Sequence, residues 1–234
     1  MPSRSATCRS PGDSLRLKTR DSIGNNMKKA STLDITRCAL FVVLIAVGSF
    51  IKIPIPLSPF TLQFLMTSLA GLLLGPTWGT RAVIAYVAAG LLGLPIFAEG
   101  GGLGYIANPN FGYLLGFVLG TWITARITPP EKGAERRQIV LSCFAGLMAC
   151  YAIGMAYLYV ICNVFLGATV TFAALMWFCF VLAIPGDLLL CFVAAEMTVR
   201  LRPIMRLQND TRLSDAGSYQ PAKANPYDGI GDGK

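Results

Sequence analysis

The chain has 234 residues, of which 54% are apolar and only 14% charged, and its mean hydropathy is positive, which excludes an ordinary soluble domain with a wetted surface. The net charge of +8 comes from lysines and arginines that flank apolar runs instead of covering a folded face, so nucleic-acid binding is disfavoured. Histidine is absent, which removes the commonest general base, triad base and metal ligand and argues against classical hydrolase chemistry.

Residues 1–34 are rich in Ser, Arg, Lys and Thr without an apolar period, and predict a disordered cytoplasmic tail. Six apolar spans follow, at about 35–52, 61–76, 80–96, 110–126, 138–164 and 171–199; several reach the ~20 residues a helix needs to cross a bilayer, and the second and third are short and close together. Pro54, Pro56 and Pro59 close the first span, Gly75-Pro76 the second and Pro95 the third, because proline lacks the N–H that a continuing helix requires. With the N-terminus inside, 19 of the 20 basic residues fall on cytoplasmic segments and only Lys52 lies outside. That asymmetry predicts an all-α membrane protein of six transmembrane helices with both termini cytoplasmic, its membrane domain covering 35–200 and a second disordered tail covering 201–234. Five of the seven cysteines lie in the apolar runs between 143 and 191 and none forms a C-x-x-C pair, so they read as packing residues, with no metal expected.

Two loops assigned to the outer side carry polar chemistry. The segment FAEGGGLGYIANPNFGYLLGF, from Phe97 to Phe117, holds Glu99, the glycines at 100, 101, 102 and 104, Tyr105, Asn108, Asn110 and Tyr113. Glycine permits left-handed backbone, and successive free N–H groups can cradle a small polar or anionic group. The first outer loop, KIPIPLSPFTLQF from Lys52 to Phe64, sets Phe60 beside Thr61 and Gln63. Inside the sixth span stands one carboxylate, Asp187, just after Pro185 and Gly186, which can disturb the helical ladder and open a pocket. An ionisable group at that depth is costly and marks a functional site, the plainer alternative being an acid satisfied by backbone donors or by Lys52. Glu196, four residues before Arg200, reads as an ordinary helical ion pair.

Five ordered blocks, PFTLQ at 59–63, GLLLGPTWG at 71–79, GLLGLPIF at 90–97, NPNFGYLLGF at 108–117 and IPGDLLL at 184–190, resemble the BioY-type biotin transporters, the substrate-binding S-components of energy-coupling-factor (ECF) importers. The resemblance implies capture of biotin at the outer side of the cytoplasmic membrane, with Asp187 holding the ligand. A ureido ring presents two N–H donors and one carbonyl acceptor, to which a carboxylate and the amides of Asn108 or Asn110 are complementary. Phe60, Tyr105 and Tyr113 would cover the thioether ring and valeryl chain, and Glu99, Gly101, Gly102 and Gln63 complete the candidate set. Members of that family commonly carry lysine three residues after the aspartate; here the position is Leu190. The ligand carboxylate must then meet the N–H groups of Gly100–Gly104, Lys52 or a helix N-terminus. No G-x-x-x-x-G-K-[ST] phosphate loop is present, so energy must come from elsewhere, and the resemblance implies a transmembrane coupling subunit and two ATPases as partners. Ala39, Val43 and Ala46 on the first span are the candidate docking residues for the coupling subunit. No cofactor and no enzymatic activity are expected. A component for another vitamin, of the thiamine or riboflavin class, and a membrane-embedded enzyme remain the alternatives.

Overall fold

The computed structural model describes residues 31–53, 60–128, 134–165, 167, 171–181 and 183–218. The tails expected at 1–30 and 219–234 lie outside those residues. The chain divides into two compact units, Met1–Ile35 and Thr36–Lys234. In the first, Asp34 accepts the Ser31 amide at 3.4 Å where the first helix begins, as suits an acid in a first helical turn.

The described residues are mostly helical. Helix α1 runs Thr32–Phe50 and is followed by a two-residue antiparallel ribbon, β1 (Lys52–Ile53) against β2 (Phe60–Thr61), with Lys52 opposite Thr61. Then come α2 (Gln63–Leu91), a 3-10 turn at Leu103–Ala107, α3 (Phe111–Ile127), α4 (Arg136–Val160), α5 (Phe172–Leu175) and α6 (Ile184–Ser218). Two π-helical stretches, Ile161–Phe165 and Met176–Val181, continue α4 and α5.

The break expected at Gly75-Pro76 is present inside α2. Gly75 adopts φ 83° and ψ 179°, which separates an arm at 63–74 from one at 76–91. Because Pro76 has no N–H, the Leu72 carbonyl has no partner four residues on. Arg202, buried midway along α6, supplies one: its Nη2 donates to Leu72 O at 3.2 Å and to Thr128 O, at the C-cap of α3, at 2.9 Å. One guanidinium thus closes two helix C-terminal ends, where a cation also complements the helix dipoles.

Three helical segments are long and apolar enough to cross a bilayer, Thr32–Phe50, Arg136–Phe165 and Ala173–Met205, and Phe111–Ile127 is a shorter apolar helix. The third expected span ends early, at Leu91 instead of 96, because Gly93 turns the backbone to φ 109°. The sixth is not one continuous α-helix over 171–199. It is the short α5, a π-helical stretch and then α6, which runs on to Ser218, past the expected end at 199. Pro203 does not end α6, and Arg202 anchors that turn to its neighbours.

Helices α3 and α4 make the most extensive contact of any pair. Gly112, Gly116 and Gly120 on α3, four residues apart, face Gly154, Cys150 and Gly146 on α4. A Cβ on Gly116 would stand 2.7 Å from the Cys150 carbonyl oxygen, and one on Gly120 would stand 2.7 Å from that of Gly146. Such small-residue rows let apolar helices approach closely where lipid gives no hydrophobic drive. Around this pair a first core gathers Leu72, Ile139, Leu147, Tyr151 and Leu190, and a second gathers Tyr86, Phe97, Tyr105 and Phe111. The free, buried Cys143, Cys150, Cys162, Cys179 and Cys191 act as packing residues, and Glu196 pairs with Arg200 at 3.0 Å and also with Arg136 at 2.7 Å.

Candidate functional site

The segment expected to be a glycine-rich loop is a braced structure. Ser49 at the end of α1 and Tyr86 on α2 both donate to the Ile96 carbonyl, at 2.7 and 2.9 Å. Phe97 is buried beneath it, its ring edge-on to Tyr86 and 4.6 Å from Tyr105. The amides of Gly100 and Gly102 bond to Phe97 O and Gly90 O, and a Cβ on Gly101 would meet the Leu94 carbonyl. The Gly100 and Gly102 N–H groups are therefore taken up in closing the loop on itself, and neither Gly101 nor Gly102 lines the cavity beside it.

Beside this loop lies a half-open cavity between the hairpin, the loop and the helices. The hairpin and α2 contribute Thr61, Gln63 and Phe64, and the loop contributes Ala98, Tyr105 and Asn110. Helix α3 adds Tyr113, Leu114 and Phe117, α4 adds Leu147, Cys150 and Tyr151, and the α5–α6 segment adds Cys179, Ala183 and Asp187. Five of the expected residues thus converge: Asp187, Asn110, Tyr113, Tyr105 and Gln63. The side chain of Phe60 lies outside the described residues.

Asp187 sits in the first turn of α6, its own amide bonded to the Ala183 carbonyl at 3.1 Å. This refines the sequence reading: the acid is at a helix start created by the break before Pro185, not in mid-helix, and the N-terminal dipole favours it. The carboxylate is 6% exposed and accepts the Tyr151 hydroxyl. It makes no pair with Lys52, whose Nζ instead donates to the Ala98 carbonyl at 2.7 Å. Tyr151 is held edge-on between Tyr113 and Phe180, at 6.3 and 5.4 Å between centroids, so its hydroxyl is aimed by aromatic packing. Sequence reasoning missed Tyr151, because nothing in an apolar helix marks which tyrosine faces the acid.

Glu99 and Asn108 stand behind the cavity wall and position Asn110. One Glu99 oxygen accepts the amides of Asn108 at 2.9 Å and Asn110 at 3.1 Å, and Asn108 Oδ1 accepts the Asn110 backbone N–H at 2.8 Å. With its NH₂ group thus directed at Glu99, Asn110 leaves its buried Oδ1 without a hydrogen-bond partner. An orphaned buried acceptor calls for a donor, which a ligand N–H can supply. Burial, and then the nearby Glu99 charge, push the Tyr105 phenol above its ordinary value, so it stays a neutral donor at the cavity wall.

Leu190 lies one turn beyond Asp187, buried in the first core, and lines no part of the cavity. Of the expected docking residues, Ala39 and Val43 are exposed, whereas Ala46 packs partly against the second core. The exposed face of α1 is completed by bulkier residues, Leu40, Val47 and Phe50. No group of three or more metal-ligating side chains occurs among the described residues.

Apolar helices long enough to cross a bilayer, gathered around a cavity lined by a few convergent polar groups, define an all-helical membrane protein. The chain belongs to the BioY family, whose sequence model matches residues 24–207. It is 38% identical to a probable biotin transporter BioY of Lysinibacillus sphaericus, over 80% of this chain and 95% of that protein. It is 35% identical to the biotin transporter BioY of Thermotoga maritima, over 72% of this chain and 95% of that protein. Its fold is also similar to the solved S-component for biotin from an ECF-type ABC transporter, with a TM-score of 0.62 and 21% identity, covering 84% of this chain and 95% of that one.

Proposed function

We propose that this chain binds biotin in the cavity between the Phe97–Asn110 loop and Asp187, and carries it across the cytoplasmic membrane as the S-component of an ECF importer. The observation that carries the reading is the pairing, among the residues that line one cavity, of the Asp187 carboxylate with Asn110, whose buried Oδ1 has no hydrogen-bond partner. A ureido ring offers two N–H donors for those acceptors and a carbonyl that a tyrosine hydroxyl can meet, while the phenyl and thiol groups of the lining suit the thioether ring and the chain. The names of the relatives point to the same ligand. In this reading six helices cross the membrane with both ends cytoplasmic, and the two arms of α2 are two of the six. A coupling subunit and two ATPases supply the energy, and the chain itself performs no catalysis.

Competitive equilibrium binding to the purified protein in detergent tests the ligand. Labelled biotin is expected to bind one to one and to be displaced by unlabelled biotin but not by thiamine or riboflavin, neither of which carries a cyclic urea with two N–H donors. Displacement by either vitamin at concentrations comparable to biotin would overturn the assignment.

A further inference from the structure

Biotin ends in a carboxylate, and the cavity lining contains one acid and no lysine or arginine. Burying an unpaired carboxylate beside Asp187 is costly, so the anion must reach a cation or a set of free donors. The Gly100 and Gly102 N–H groups are not part of that set, since they close the loop. Leu190 is packed in the core. Arg202 is engaged on two helix ends, Arg136 and Arg200 on Glu196, and Arg81 over the Trp78 ring. Arg200 lies 13 residues beyond Asp187 along α6, about 20 Å at 1.5 Å per residue.

Lys52 is placed differently. The β1–β2 ribbon sets it opposite Thr61, which lines the cavity, and its Nζ reaches the carbonyl of Ala98, which lines it too. Its backbone is fixed by the ribbon, while its exposed ammonium has two further N–H donors beyond the bond to Ala98. Resting on the proposed biotin reading, we infer that Lys52 is the specificity-determining cation of this site: it receives the ligand carboxylate at the cavity mouth, between the hairpin and the loop, while Asp187 holds the ureido ring inside.

The test compares biotin with an uncharged analogue, biotinamide, on the wild type, Lys52→Gln and Lys52→Arg. Loss of a charge-assisted contact corresponds to about ten- to a hundredfold in affinity. Lys52→Gln is expected to weaken biotin by that factor and to change biotinamide by less than threefold, with Lys52→Arg recovering most of the biotin affinity and the wild-type preference for biotin falling as salt rises. Equal weakening of both ligands would show that Lys52 only latches the loop, and unchanged biotin affinity in Lys52→Gln would show no role; either overturns the inference while leaving biotin binding standing. Absence of biotin binding by the folded wild type would overturn both the inference and the reading on which it rests.

Discussion

Asp187→Asn is expected to weaken biotin binding by up to about a hundredfold without unfolding the protein. The carboxylate offers its remaining lone pairs to donors inside an apolar cavity and is already oriented by Tyr151. One charge-assisted bond from a ureido N–H contributes about 1.5–3 kcal/mol, which is about ten- to a hundredfold in Kd. Asparagine keeps the size but loses the charge and places N–H donors where the ligand also presents donors. A buried carboxylate with a single side-chain donor is itself costly to the empty protein, so the variant's melting midpoint should equal or exceed that of the wild type. Tyr151→Phe should fall between, about tenfold weaker, because the acid stays but its orienting donor is lost. Titration calorimetry and thermal melts on the three proteins check this; an Asp187→Asn affinity within a few-fold of wild type would remove Asp187 from the site.

The second large effect lies away from the ligand. Gly116→Val and Gly120→Val should each lower the melting midpoint by several degrees and weaken biotin tenfold or more. The added carbons would meet the carbonyl oxygens of Cys150 and Gly146, backbone atoms that cannot swing aside. Overpacking of this kind costs about 1–3 kcal/mol and forces the helices apart. Because α3 carries Tyr113 and α4 carries Leu147, Cys150 and Tyr151, separating them widens the cavity and moves the hydroxyl that orients Asp187. Gly154 ties the same packing to the site, since a Cβ there would occupy the space of the Tyr113 ring. Wild-type melting and affinity in both variants would show that the α3–α4 contact does not set the cavity.

Much of this was legible in the chain. A lone acid after Pro-Gly in an apolar run identified Asp187, and Gly75-Pro76 identified the break in α2, because each departs from a uniform background. The four-residue spacing of Gly112, Gly116 and Gly120 was equally readable and went unused. Other features depend on tertiary placement. No periodicity tells which of the tyrosines at 151, 157 and 159 faces Asp187, nor that Arg202 replaces the N–H that Pro76 lacks. The loop glycines misled for a physical reason: the same lack of a side chain that frees an N–H for a ligand also lets Gly102 approach Gly90 and Gly101 approach Leu94. Lys52 stood out by charge alone, and only the ribbon register with Thr61 places it at the cavity mouth.

The most direct test of the biotin site is an experimental structure of the protein with biotin bound. The ureido nitrogens should lie within hydrogen-bonding distance of Asp187 and of Asn110 Oδ1, with the valeryl chain directed toward Lys52. Biotin found outside this cavity, or within it with the ureido ring turned away from Asp187, would contradict the account.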